Sequence, residues 1–264
     1  MKGSNYMTRL LKLKWSRNAF DGVVIDPGSV GDDPILFGKE LTSAISLWTE
    51  ELCKVVWLEI ASTGSGIISK AASQGFRFHH ADERYAMMVL KLDQNAFVPP
   101  YATHYIGIGG VVINRNREIL VVSERYRTSK NIPAYKLPGG ALLPGEHLAD
   151  AAVREVLEET GIETRFESLV CFRHWHGYRY GKSDIYFVAR LAPVNYRIKK
   201  QEEEIDECLW MPVNEFLAND SIHSFNKTIV GAAMGSEGLF SEPVSGYEPE
   251  SKFEFFMPNK GNRA

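Results

Sequence analysis

The chain has 264 residues, 44% of them hydrophobic, and a formal net charge of −3, which is enough apolar material for a sizeable core and for two domains. With no global basic field it is not suited to holding nucleic acid or an anionic membrane, and no apolar run approaches the roughly 18–20 residues that span a bilayer. Three widely spaced cysteines, Cys53, Cys171 and Cys208, fit a reducing compartment rather than a disulfide frame, so a soluble, cytoplasmic protein is expected.

The first twenty residues carry Lys2, Arg9, Lys12, Lys14 and Arg17 and no acid, the charge pattern of a mitochondrial presequence. A basic lead-in to the first strand explains them as well, so residues 1–18 are set apart as a basic segment and the mitochondrial matrix is the alternative location. Residues 19–98 read as a small α/β unit. Strands are predicted at 22–25, 55–61 and 85–92, and helices at 39–53, with Leu41, Ile45, Trp48 and Leu52 at helical spacing, and at 67–74. That βαβαβ order predicts a layered sheet with helices packed on it. The turn Ser62-Thr63-Gly64-Ser65-Gly66 opens the second helix and could cradle a phosphate, as in acetyltransferases that bind acetyl-CoA. Ala61 stands where that motif needs a basic or amide residue, so the stretch is read as a plain turn. His79 and His80 are neighbours in an extended segment and are expected to point to opposite faces, one packed and one exposed.

Val98-Pro99-Pro100 is the predicted boundary, with a second domain over 101–235. Residues 106–113 lead through Asn114-Arg115-Asn116-Arg117 into 118–123, which reads as a hairpin. Further strands are predicted at 167–172 and 184–191 and a short helix at 221–233. In the tail, 236–264, the apolar patch 253–257 either packs on the domain or joins a homodimer interface.

Between those strands lies GALLPGEHLADAAVREVLEETGI, residues 140–162. Nothing breaks a helix from about His147 to Thr160, and Gly161 sits where a left-handed cap belongs. At about 100° per residue, Ala149, Val153, Val156 and Leu157 share one face, and Glu155, Glu158 and Glu159 gather opposite them. Carboxylates at this spacing lie roughly 5–6 Å apart and repel unless a cation relieves them. An all-oxygen set suits Mg²⁺ or Mn²⁺ rather than zinc. A solvated acidic face is the bland alternative; the preceding Leu137-Pro138-Gly139-Gly140 turn, where backbone can approach a ligand closely, argues against it.

Gly140, then Glu146, then Arg154-Glu155-Val156-Leu157-Glu158-Glu159-Thr160-Gly161-Ile162 fill every fixed position of the Nudix box, Gly-x5-Glu-x7-Arg-Glu-U-x-Glu-Glu-x-Gly-U, with U a bulky aliphatic. The chain therefore resembles the Nudix hydrolase superfamily. Phe76-Arg77-Phe78-His79-His80-Ala81, Ile106-Gly107-Ile108-Gly109, the segment 181–188, and Glu204-Ile205 with Trp210-Met211-Pro212 are similar to one subgroup of it. That subgroup carries a GNAT-like pre-Nudix domain and includes the antisense fibroblast-growth-factor-type protein of animals and plant ADP-ribose and NADH pyrophosphatases. The resemblance implies an α/β fold, a Nudix α/β/α sandwich with a mixed sheet preceded by a small GNAT-like βαβαβ domain. It implies Glu155, Glu158, Glu159 and the Gly140 carbonyl as metal ligands, with Glu155 also activating or positioning the attacking water. Arg154 would orient Glu155, Glu146 would be a water-mediated ligand or a partner to Arg154, and Gly139 and Gly161 would shape the motif. Glu204, before an Ile and a downstream Trp-x-Pro, would be a further ligand or base, while Glu202, Glu203 and Glu207 read as a solvated turn.

The stretch 172–182 is dense in aromatic and cationic residues and is predicted to be a hairpin loop at the mouth of the site. Arg173, Trp175, Tyr178, Arg179 and Lys182 are its candidates for stacking a base and meeting phosphate oxygens. Arg125, Arg127 and Lys136 are additional candidates for phosphate contact. The expected activity is hydrolysis of a pyrophosphate linked to another group, with ADP-ribose or NADH as small-molecule substrates by resemblance, releasing AMP or NMNH and a phosphorylated partner. A nucleotide-sensing protein is one alternative, and hydrolysis of nucleoside triphosphates or RNA caps another, disfavoured because no basic groove is evident.

Overall fold

A computed structural model describes residues 12–126 and 134–259, and the chain divides at Ala102 into two units. Lys2, Arg9 and Arg127 lie outside the described residues.

In the first unit, β1 (Trp15–Arg17), β2 (Gly22–Ile25), β3 (Val55–Ala61), β4 (Arg77–Ala81) and β5 (Tyr85–Lys91) form one sheet in the order β1-β2-β3-β5-β4. β2 and β3 run parallel and the other pairs antiparallel. The three expected strands are joined by β1 and β4, two short edge strands with no buried residue and hence no apolar alternation to betray them. Helix α1 (Pro34–Glu50) starts five residues ahead of the expected 39, because the Asp33 carboxylate accepts the N–H groups of Ile35 (2.8 Å) and Leu36 (3.1 Å) and Pro34 takes the first helical position. Leu41 and Trp48 are in the core with Leu58 and Met88, whereas Leu52 lies past the helix end at φ 58° and is 82% exposed. Leu52 therefore lies just past the C-cap Glu51 and outside the core. Helix α2 (Ser65–Ser73) follows the glycine turn, with Gly64 at its N-cap.

His79 and His80 do not split into one packed and one exposed ring. β4 slips register between Phe78 and His80, and the bulge leaves both histidines half-buried with their Nδ1 atoms 2.7 Å apart.

In the second unit, β6 (His104–Val112), β8 (Gly139–Ala141), β9 (Thr164–Trp175), β10 (Ser183–Pro193), β12 (Leu239–Ser241) and β13 (Phe256–Pro258) build a mixed sheet ordered β13-β12-β9-β10-β6-β8. Only β6 and β10 pair in parallel, from His104 opposite Ser183 to Val112 opposite Leu191. β7 (Glu118–Glu124) pairs instead with β11 (Ile205–Pro212). The predicted hairpin begins as one, with Asn114 N–H donating to the Glu118 oxygen and Ile113 bridging Ile119, but its strands then part into different sheets. The edge of β6 is taken by β8, which the sequence pattern did not reveal.

Alternation sorts the strand side chains between two cores. Ile108, Val112, Leu120, Ala189 and Leu191 pack beneath α3 (Leu148–Thr160). Val111, Ile119, Val121 and Val188 pack beneath α4 (Val213–Ala218) and α5 (Ser224–Gly235) with Phe216, Ile229 and Val230. Each fully buried aliphatic side chain contributes about 1.5–3 kcal/mol relative to exposure. The layers make an α/β/α sandwich around a mixed sheet. From the C-terminal stretch, β12 joins β9 at Leu169, and Phe256 packs on the domain's own core at 5.7 Å from the Phe166 ring.

Candidate active site

Helix α3 runs 13 residues with His147 as N-cap and Gly161 closing it at φ 71°. A side chain at Gly161 would be strained by that φ and would also meet the Lys199 backbone oxygen at 2.8 Å, which is why glycine ends the helix here. The face assignment needs correction. The buried residues are Ala151, Ala152, Val156, Glu159 and Thr160, while Leu157 is 44% exposed and Ala149 and Val153 are half-buried. At about 100° per residue, Glu155 and Glu159 fall between Ala151 and Val156, inside the buried arc. Two carboxylates can occupy that arc because the turn they face is Gly139-Gly140. A methyl group on Gly140 would sit 2.6 Å from both Glu155 carboxylate oxygens, and one on Gly139 would sit 2.3 Å from the Ile108 oxygen.

Arg154 ties the acids together. Its Nε and Nη2 donate to the two Glu146 oxygens at 2.6 and 2.9 Å, and its Nη1 donates to Glu155 Oε1 and Glu158 Oε2, both at 2.9 Å. Glu146 also accepts the Leu143 N–H at 2.9 Å. Its carboxyl is held below the usual range, first by the Arg154 hydrogen bonds. Glu159 is 7% exposed, and its carboxylate accepts the Gly139 N–H at 3.0 Å. Burial pushes its carboxyl up to about 7, with Lys136 opposing and Glu155 and Glu124 adding to the rise. Burial also raises Glu155, against the pull of Arg154.

These oxygens suit a hard divalent ion: two carboxylates in a half-dry recess beside a glycine turn, with Glu158 at the rim. Glu158 and Glu159 stand in the last turn of α3, which has no basic residue, so the helix dipole opposes them and a cation there would relieve both charges. Among the described residues, no three His, Cys, Asp or Glu side chains converge on one point; the Arg154 Nη1 lies between Glu155 and Glu158.

Glu204 is exposed in the turn before β11, where its backbone oxygen accepts the Arg125 N–H at 2.7 Å. An acid from outside the motif, Glu124 at the end of β7 and paired with Lys136, acts electrostatically on Glu159. Nothing in the sequence marked it, since its proximity depends on Lys136 bridging back to Val122. Glu207, read as solvated, is half-buried and accepts a hydrogen bond from the Tyr135 hydroxyl at 2.5 Å.

The aromatic stretch is only partly a loop: residues 172–175, with Arg173 and Trp175, end strand β9, and residues 176–182 form the hairpin connection to β10. The Arg173 guanidinium pairs with Asp184 and lies 5.4, 5.6 and 5.3 Å from the ring centres of Trp175, Tyr186 and Phe225. Trp175 meets Tyr178 edge-on at 5.4 Å, and Arg179 lies over Tyr178 at 5.4 Å. Lys182 closes the loop through backbone bonds with Tyr178 and Arg179. Arg125 is elsewhere, beside Glu202 at 3.6 Å. Tyr186 and Phe225 were missed, because Tyr186 reads as a strand residue and Phe225 as a helix residue. Tyr186 connects the two clusters: its ring flanks Arg173, and its hydroxyl lies 2.9 Å from where a Gly139 side chain would begin. Burial, then Glu159 and Glu155, keep that phenol protonated.

The NUDIX domain family matches residues 103–230, and a Nudix hydrolase domain family matches residues 13–92. Nudix hydrolase 2 of Arabidopsis thaliana is 38% identical over 194 residues, 73% of this chain and 70% of its own length. Nudix hydrolase 7 of the same plant is 35% identical over 208 residues, 78% of this chain and 73% of its own. The human protein named nucleoside diphosphate-linked moiety X motif 6 is 39% identical over 193 residues, 72% of this chain and 60% of its own.

Proposed function

The chain belongs to the Nudix hydrolase family, and from that premise we propose that it hydrolyses the pyrophosphate bond of a nucleoside diphosphate joined to another moiety, with Mg²⁺ or Mn²⁺ bound at Glu155, Glu158, Glu159 and the Gly140 carbonyl. The observation that carries this reading is the meeting of the Glu155 carboxylate with the Gly140 backbone, where a side chain on the glycine would stand 2.6 Å from both oxygens. A divalent ion there supplies charge neutralisation for the pyrophosphate and a lower pKa for the attacking water.

The chain's own groups do the rest. Glu155, raised by burial, accepts the proton of the water or orients it toward phosphorus. Water attacks one phosphorus, the P–O–P anhydride bond breaks, and the leaving phosphate takes the electron pair. Arg154 is anchored on Glu146 through Nε and Nη2, so Nη1 can release Glu155 or Glu158 without the guanidinium losing its place. Trp175 and Tyr178 offer faces for a base, and Arg179 and Lys182 offer charge to phosphate oxygens. Arg173 is committed to Asp184, which suits it to shaping the pocket. Glu204 remains a candidate base from its exposed turn, and Arg125 lies beside that turn.

ADP-ribose and NADH are the favoured substrates, yielding AMP or NMNH and a phosphorylated partner; the name of the human relative, with its diphosphate-linked moiety, supports the class. Product chromatography after incubation with ADP-ribose, NADH, coenzyme A and nucleoside triphosphates, with and without metal, tests it. Metal-dependent AMP release is expected, slowed by roughly two orders of magnitude or more in Glu159→Gln. Nucleotide binding without turnover of any substrate would replace this reading with that of a sensor.

A further inference from the structure

Helix α3 carries the proposed ligands at its C-terminal half, yet its own sequence does little to hold its N-terminus. His147, at the N-cap, makes no side-chain bond to the first turn. The free amides are met from about a hundred residues away: Glu254 Oε2 accepts the Leu148 N–H at 2.8 Å and Glu254 Oε1 accepts the Ala149 N–H at 3.1 Å. A second tie joins His147 Nε2 to the Glu250 backbone oxygen at 3.0 Å.

Resting on the metal reading of Glu155, Glu158 and Glu159, we propose that Glu254 is a positioning residue for that site, closing the N-terminus of α3 with a carboxylate and setting where the ligands meet the Gly139-Gly140 turn.

Three features support a positioning role. First, Glu254 is firmly placed. It stands two residues before β13, where Phe256 pairs with Ser241 and packs in the same core as Ala151 and Ala152 of α3. Second, the acceptor is a carboxylate whose two oxygens each take one amide, so it meets both the unpaired donors and the positive end of the dipole. Asp150 adds an acid to the same turn. Third, the helix dipole favours acid at this end of α3 and disfavours it at the other: the last turn holds Glu158 and Glu159 with no basic residue, whereas a carboxylate at the N-terminus meets the positive end. A helix advances about 1.5 Å per residue, so Glu155 lies roughly 10 Å beyond Leu148, and an axial slip at the N-terminus reaches it undiminished.

The test measures Mn²⁺ binding to the full chain by the loss of the free-ion electron paramagnetic resonance signal, beside thermal unfolding and steady-state kinetics. Glu254→Ala is expected to weaken Mn²⁺ binding about tenfold, as is usual when the support of a ligand is removed. Glu254→Gln, which keeps an acceptor and loses the charge, should fall between it and wild type. Glu250→Gln, at the residue whose backbone oxygen meets His147, should bind as wild type does and controls for removing a nearby acid. A folded Glu254→Ala protein with Mn²⁺ affinity within twofold of wild type would overturn the proposal and leave a purely structural cap; if that variant does not fold, Glu254→Gln is read by the same criterion. Glu159→Gln separates the two ideas. Unchanged Mn²⁺ binding there would defeat the metal reading itself, whereas loss there with none at Glu254 defeats only the positioning role.

Discussion

Glu159 is a carboxylate in the wrong medium. It is buried against the Gly139 amide, and its pKa rises from the ordinary 4.5 to about 7 because the charged form is desolvated. Between those two values the folded state keeps a proton that the unfolded chain has released, so stability falls as pH rises through the window and levels off above it. Denaturant unfolding of metal-free protein at stepped pH should show this loss from about pH 4.5 to 7, flattened in Glu159→Gln. Divalent metal, which needs the ionised form, should stabilise more at pH 8 than at pH 6. Matching profiles for wild type and variant would show that Glu159 is not the titrating group. Arg154 illustrates the complementary case. A guanidinium with four hydrogen bonds to three acids keeps like charges together on one helix, and its own pKa is raised further, chiefly by Glu146.

At the scale of elements, the site is an apposition of α3 with the edge strand β8. β8 is only three residues long, and its pairing places Gly140 opposite Ile108 and Gly139 opposite Gly109. Its glycines are there because the backbone must come within a methyl group of a carboxylate. Gly140→Ala should push the turn and Glu155 apart, lowering Mn²⁺ affinity and kcat by about 10- to 100-fold, with a smaller effect on thermal stability. Unchanged Mn²⁺ affinity and kcat would mean that the apposition is slack enough to absorb a side chain. Helix α3 was legible in the sequence almost to the residue, because a breaker-free run with a glycine stop carries local signals. Which of its faces is buried was not legible, because an amphipathic projection assumes that charge faces water. Here Glu155 and Glu159 turn toward a side-chain-free turn, and Leu157 toward solvent.

For the whole molecule, the two units have separate cores, one around Trp48, Leu58 and Met88 and the other on the two faces of the sheet containing β6 and β10. Metal binding should therefore slow hydrogen exchange in α3, β8 and the segment around Glu254 while leaving residues 12–102 unchanged; protection reaching β3 or β5 would mean that the units are energetically coupled. No helix among the described residues is long and apolar enough to cross a membrane. The sequence by itself determined the helix, its acids and their spacing, the aromatic loop and the layered α/β class, because each is written in local periodicity, turn residues or a motif of short span. Tertiary structure alone decided that Glu124 comes within electrostatic reach of Glu159, that Tyr186 joins the acids to the Arg173 cage, that β6 and β7 part into different sheets, and that Glu254 caps α3. Those relations depend on strand pairing and on contacts across tens to about a hundred residues, and no local pattern encodes which distant group will arrive.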